Sequence, residues 1–134
     1  MVEQDNIVSK RLENCAQFID WCHKVGIKFT KLEFPAIFEG GLWGVRVTED
    51  IQHNEAFVAV PYTAIMSCEK ALADPELGPI LKQHPELFDE KNGDAESQMM
   101  LVYLAYEWQK GEKSFWYPWF KVFPVDDQQL FWRW

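Results

Sequence analysis

Gly40-Gly41-Leu42-Trp43-Gly44 is the one short segment of this chain whose residue types suit contact between backbone and a ligand. Glycines at a turn admit close approach and leave amides and carbonyls uncovered. What the segment lacks narrows its chemistry. No Lys-Ser/Thr pair comes after it, so it is not a phosphate loop of the Walker type. A strand pattern, Gly44 to Thr48, stands where a dinucleotide fingerprint needs a helix. On its residues alone the segment reads first as a plain glycine turn between strands.

The other reactive residue types are scattered. Cys15 and Cys22 are seven positions apart, which on a helix is two turns and about 10 Å. That is too far for one zinc ion without outside ligands, and His23 points elsewhere, so both cysteines read as core. His53 and His84 sit in turn or loop regions with no nucleophile that spacing identifies. Glu49-Asp50 and Asp126-Asp127 read as solvated surface pairs. Lysines interleave with aromatics from Glu107 to Pro124, a pattern that can stack bases. Glu107 and Glu112 dilute the charge, and the stretch reads better as a packed aromatic core. No self-contained catalytic constellation and no metal-ligand set emerges.

The elements that must position the glycine turn are legible in outline. Leu12, Cys15, Phe18, Ile19 and Cys22 form one apolar stripe of a helix running from about Asn6 or Ser9 to Val25, with Gly26 as its C-cap. Lys28 to Phe38 alternates weakly, which predicts a short strand on each side of Pro35. Gly44–Thr48 and Ala56–Val60 are expected to pair antiparallel through a turn at Gln52-His53-Asn54-Glu55, with Asn54 left-handed. Ser67 caps a helix over Cys68 to Ala73. Asp74-Pro75 and Gly78-Pro79 punctuate the next stretch, before a short helix near Ile80 to Gln83 and then Pro85. Asp89 to Asp94 reads as a polar loop. Ala95 to Lys110 is the strongest helix, with Met100, Leu101, Leu104, Ala105 and Trp108 on one face that Tyr103 and Tyr106 widen, buried on several sides and ended by Gly111. Ser114 then caps a short aromatic turn, Phe115 to Phe120. The fold class is α+β: an N-terminal helix, a small antiparallel sheet and further helices.

The 134 residues suit about one domain, and 48% hydrophobic with 16% aromatic residues is ample for a core. A net charge of −8 disfavours direct nucleic-acid binding and favours a basic protein partner. Three cysteines are no disulfide framework. No signal-peptide core and no membrane-length apolar run is present, so the default location is intracellular, cytoplasm or nucleus. The last residues, Leu130-Phe131-Trp132-Arg133-Trp134, are unusually aromatic. Either the natural chain continues past Trp134 or this end packs on a partner. Phe115, Trp116, Trp119, Phe120, Phe123, Phe131, Trp132 and Trp134 are expected to divide between packing on Leu101, Leu104 and Trp108 and contact with a partner protein or a later segment.

Taken in order, several segments resemble the opening of a SET domain, the fold of one class of protein methyltransferases. Phe18 to Gly26 is similar to the helix that precedes the SET domain in the Rubisco large-subunit methyltransferase-like group. Gly44 to Ile51, Glu55, Val60-Pro61 and Ile65-Met66-Ser67 resemble its first hairpin and the segment next to it. Leu104 to Glu107, Lys110 to Trp119 and Phe123-Pro124 resemble the start of that group's helical insert. The resemblance runs from about Leu12 to Trp134 and divides the chain into an N-terminal helix (1–27), the first part of a SET-like β domain (28–93) and the beginning of the insert (94–134).

The resemblance implies a parent that transfers methyl groups from S-adenosylmethionine to a side-chain nitrogen of a protein, most often lysine. It places Gly41, Leu42, Trp43 and Gly44 at the cofactor, through their backbone. The family pattern there is Gly-x-Gly; this chain has Leu42 in the first glycine's place and Gly41 one position earlier. The family's Asn-His segment and its tyrosine beside the methyl group come after the insert, so no catalytic residue is assigned and the 134 residues alone are expected to be inactive. A non-catalytic SET-derived subunit of a larger assembly is the alternative.

Overall fold

The computed structural model describes residues 2–88 and 94–123, and these divide into two compact units. One comprises the chain up to Pro61 together with the segment from Pro118; the other is Tyr62–Tyr117.

The first unit opens with α1, Val2–Lys24. Its end is a glycine-closed reversal. Gly26 takes φ +83°, its amide donates to the His23 carbonyl at 3.2 Å, and the Ile27 amide donates to the Cys22 carbonyl at 2.9 Å. Those two bonds satisfy carbonyls that a helix otherwise leaves open. Cys15 and Cys22 are buried as the stripe predicts, with Phe18 and Ile19 half-buried, but Leu12 at its N-terminal end is exposed. Phe18 stacks on Trp21 and meets the edge of Phe34, which seats α1 on the sheet residues.

Four strands come next: β1 Lys28–Phe29, β2 Leu32–Ile37, β3 Trp43–Val47 and β4 Val58–Ala59. They form two separate two-stranded antiparallel ladders, β2 with β3 and β1 with β4. The expected pairing of Gly44–Thr48 with Ala56–Val60 is therefore wrong. Gly40 and Gly41, at φ +78° and +79°, reverse the chain at once, so β3 folds back on the strand just before it. Pro35 does not divide β2 into two strands either. The strand runs through it, with a cis Phe34–Pro35 bond and a register shift between Glu33 and Ala36. A proline has no amide to give the ladder, and the irregular register falls where that donor is missing. Asn54 is left-handed as expected, at φ +63°. From Pro118 the chain contributes an aromatic cluster of Trp119, Phe120 and Phe123, tied to α1 by Asn14 Nδ2 donating to the Lys121 carbonyl and Lys121 Nζ donating to Gln17 Oε1.

The second unit is helical: α2 Cys68–Ala73, α3 Leu77–Gln83 and α4 Ala95–Gln109, after which α5, Tyr117–Phe120, leads out of it. A side-chain oxygen accepts amides at the start of each of the first three, from the N-cap residue in α2 and α4 and from Asp74, two residues before the N-cap Glu76, in α3. Ser67 Oγ accepts the Lys70 amide, Asp74 Oδ1 accepts the amides of Glu76 and Leu77, and Asp94 Oδ1 accepts that of Ser97. Gly78-Pro79 lies inside the first turn of α3 rather than before it. Proline is tolerated there because first-turn amides have no partner within the helix.

The buried face of α4 is only partly the expected one: Tyr103 is on it, but Leu101 and Trp108 are not. Leu101 is 66% exposed and Trp108 45%, while Tyr103 and Glu107 are buried. Apolar residues surround this helix, so periodicity selects no face. Polar bonding does. Glu107 Oε2 accepts from Ser114 Oγ at 2.6 Å, and Glu107 Oε1 pairs with Lys110 Nζ, which also reaches Asp74 Oδ2 at 3.2 Å. The Tyr106 hydroxyl lies between Asp74 and Glu76, 3.2 and 2.9 Å from their carboxylate oxygens. The Trp116 ring stands T-shaped to Tyr103, with ring centres 5.7 Å apart. Expectations for Phe131, Trp132 and Trp134 and for the loop at residues 89–93 fall outside the described residues.

Burial, with the Glu107 carboxylate beside it, raises the Tyr103 hydroxyl to about 12. Burial alone would lower Lys110, but its bonds to Glu107 and Asp74 outweigh that and hold it above the ordinary lysine range. Both folded values lie above their unfolded ones, so each group contributes stability that is present below the unfolded value and lost as pH rises through the folded one. The helical unit is therefore expected to lose stability progressively above about pH 10. An alkaline titration followed by circular dichroism checks this, and Tyr103→Phe should remove the tyrosine's share of the loss.

Candidate functional site

The glycine segment of the sequence is a tight turn at the head of β3. The Phe38 amide donates to the Leu42 carbonyl at 2.8 Å, and the Gly41 amide donates to the Phe38 carbonyl at 3.1 Å. Gly40 and Gly41 are the left-handed positions, and a β-carbon placed on either would meet no atom within 4 Å. Backbone at the crest of the turn is thus uncovered, with open space in front of it. Leu42, in ordinary extended conformation at φ −69° and ψ 132°, is 46% exposed. Gly44 has no positive φ; a β-carbon there would lie 3.3 Å from Phe38 Cε2, a tight contact that the ring relieves by moving a few tenths of an ångström.

An arginine lies near each end of this turn. Arg46 lies 5.3 Å from the centre of the Phe38 ring, donates to the Ile37 carbonyl at 3.2 Å and pairs with Glu33 at 3.3 Å. Arg11, from α1, lies 4.7 Å from the centre of the Trp43 ring. Sequence reasoning found neither Arg11, Phe38 nor Arg46. The Glu33–Arg46 pair was within reach, since opposite charges across a ladder favour that register, but only once β2 is known to be the partner of β3.

The remaining candidates do not gather around the turn. Cys15 and Cys22 are free thiols, and burial pushes both pKa values up, away from ligand or nucleophile character. The His23 ring packs on Phe29. His84 Nδ1 lies 3.1 Å from Glu86, and His53 occupies an exposed turn. At the preceding pair, Asp50 offers its backbone carbonyl to Lys31 Nζ at 2.8 Å, and Lys31 also pairs with Glu55 at 2.6 Å. Tyr62 donates to Glu69, and Tyr106 is engaged by Asp74 and Glu76. Asp126-Asp127 lies outside the described residues. Among the described residues no three His, Cys, Asp or Glu side chains converge as metal ligands, and no helix is long and apolar enough to cross a membrane.

One further arrangement has the form of a cation site, but its occupant is part of the chain. Lys70 Nζ donates to the carbonyls of Tyr62, Thr63 and Ile65 at 3.0, 2.6 and 2.6 Å. It also lies 5.4 and 5.6 Å from the ring centres of Trp116 and Tyr62. Burial lowers its pKa, while the three carbonyls supply acceptors for the three ammonium protons.

Comparison with known proteins adds one relative. The chain is 30% identical over 112 residues to Protein SET DOMAIN GROUP 40 of Arabidopsis thaliana. The match covers 83% of this chain and 20% of the relative, so the chain spans about a fifth of the length of the curated relative it matches. No protein-family model matches the chain, and no solved structure matches it significantly. The similarity supports a SET-domain relationship.

Proposed function

We propose that this chain is the opening portion of a SET-type protein methyltransferase of the Rubisco large-subunit methyltransferase-like group, acting on a protein side-chain nitrogen, most often lysine. In this reading Gly41, Leu42, Trp43 and Gly44 present backbone to S-adenosylmethionine, which supplies an electrophilic methyl group when bound. The observation that supports it is the uncovered left-handed turn at Gly40-Gly41, which leads into β3 and whose second glycine is the first of the four residues named here. Open space in front of two glycines suits a ligand gripped by main chain rather than by charge. The contribution of these residues is to bind and orient, since methyl transfer needs the acceptor amine held close and in line. They form one wall of a site, and the chemistry falls to residues outside this segment.

A second reading, a non-catalytic SET-derived subunit, is favoured by Leu42 in a glycine's place and by apolar residues of β3 left exposed, Val45 and Val47. Calorimetric titration with S-adenosylmethionine separates the two. The full-length protein should bind the cofactor, and the isolated 134 residues only weakly, since one wall leaves most of a ligand in water. In the full-length protein Gly44→Val should weaken binding more than Trp43→Ala. The valine crowds the Phe38 ring, whereas the alanine keeps the backbone that does the binding. No binding by the full-length protein would establish the second reading. Submicromolar affinity in the isolated chain would show that one wall is not the whole account.

A further inference from the structure

We propose that Arg11 is a positioning residue for the Gly40–Gly44 turn, bracing it from α1 through the ring of Trp43. The ligand named here rests on the cofactor reading above; the brace itself does not.

The turn needs an anchor. Its crest has no side chain over it, and two adjacent left-handed glycines leave the unfolded turn many conformations to lose. One end is fixed by the Phe38 ring, lodged against Gly44 with Arg46 beside it. The other end leaves the turn at Trp43, which is half-buried, and Arg11 lies over its ring at 4.7 Å. Arg11 is itself held in place. Cys15, one helical turn further along the same face of α1, is 3% exposed and fixes the rotation of the helix. Among the described residues Arg11 forms no salt bridge; its charge lies over the Trp43 ring and also within electrostatic reach of the buried Cys15. A guanidinium over an indole is attracted by the negative face of the ring, and an ammonium shares that attraction. A helix far from the turn in sequence thereby restricts the backbone that a ligand would otherwise have to order on binding.

The test reads the turn directly, by amide hydrogen exchange of peptides spanning residues 38–45 in the full-length protein. Arg11→Met keeps the length of the stem and removes the charge. It should speed exchange at Gly41 to Gly44 about threefold to fivefold, the equivalent of losing one exposed cation–π contact. Exchange in Tyr62–Tyr117 should stay unchanged, and Arg11→Lys should restore much of the protection. Trp43→Leu should give the same acceleration, and the double variant no more than either alone. Cofactor affinity should fall about threefold in Arg11→Met and recover in Arg11→Lys. Unaltered exchange in Arg11→Met, or additive effects in the double variant, would overturn the brace. A wild-type protein that binds no S-adenosylmethionine overturns the cofactor reading instead, and the exchange data then decide the brace by themselves.

Discussion

Trp116→Ala is expected to destabilise the Tyr62–Tyr117 unit by about 4 kcal/mol, a large part of what holds a small domain together. The ring is 6% exposed and makes four contacts at once. Its Nε1 donates to the Ala64 carbonyl at 2.9 Å, its face meets Tyr103 and Phe115 edge-on, and it lies beside the Lys70 ammonium. Alanine removes the ring volume and leaves both a carbonyl and a cation with fewer partners, so the cavity cost and the polar cost add. Urea unfolding followed by circular dichroism should show the loss. Trp116→Phe should recover most of the packing but not the hydrogen bond, and should fall between the two.

The second large effect has a sign that helix propensity gets wrong. Gly78 sits in the first turn of α3, where alanine is ordinarily better than glycine by up to about 1 kcal/mol. Here Gly78→Ala is expected to cost about 3 kcal/mol. The new β-carbon would lie 2.4 Å from the Leu72 carbonyl oxygen and 3.0 Å from its carbon, both backbone atoms of α2. No rotamer relieves such a contact; α2 and α3 must separate, which also strains the Asp74 cap between them. Gly41→Ala is the matched control. It meets nothing in space, so it should show only the left-handed backbone penalty of about 1 kcal/mol. Equal midpoints for the two variants would refute the steric account.

The parts of this fold that were legible in the sequence are those set by local chemistry. Gly26, Ser67 and Asn54 each do what their residue type favours: close a helix, cap one, and take a left-handed turn. The boundaries of α4 also came from its composition and from Gly111. What failed was choice of partner. Gly44–Thr48 reads as a strand whichever neighbour it takes, and only the double reversal at Gly40 and Gly41 selects β2 over β4. The face of α4 was hidden for a related reason. Leu101 and Trp108 are more apolar than Glu107, and only the Ser114 and Lys110 bonds make the carboxylate the buried side chain. At the candidate site the glycine turn itself was visible, but its supports at Arg11 and Phe38 were not. One comes from another element, and the other is an ordinary aromatic until Gly44 gives it room.

The division of the strands into two ladders has a kinetic consequence. The β2–β3 hairpin closes through three residues, Glu39–Gly41, a local event on the microsecond scale. The β1–β4 ladder must instead bring Thr30 to Phe57, whose backbone atoms bond at 3.0 Å across about 28 residues of chain. Once the hairpin has formed, the Thr48 amide is already bonded to the Lys31 carbonyl, and about 10 residues remain to be closed. The entropy of closure falls by about 1 kcal/mol. The glycine turn is therefore expected to form before the β1–β4 ladder, and substitutions at Gly40 or Gly41 should slow the formation of β1–β4.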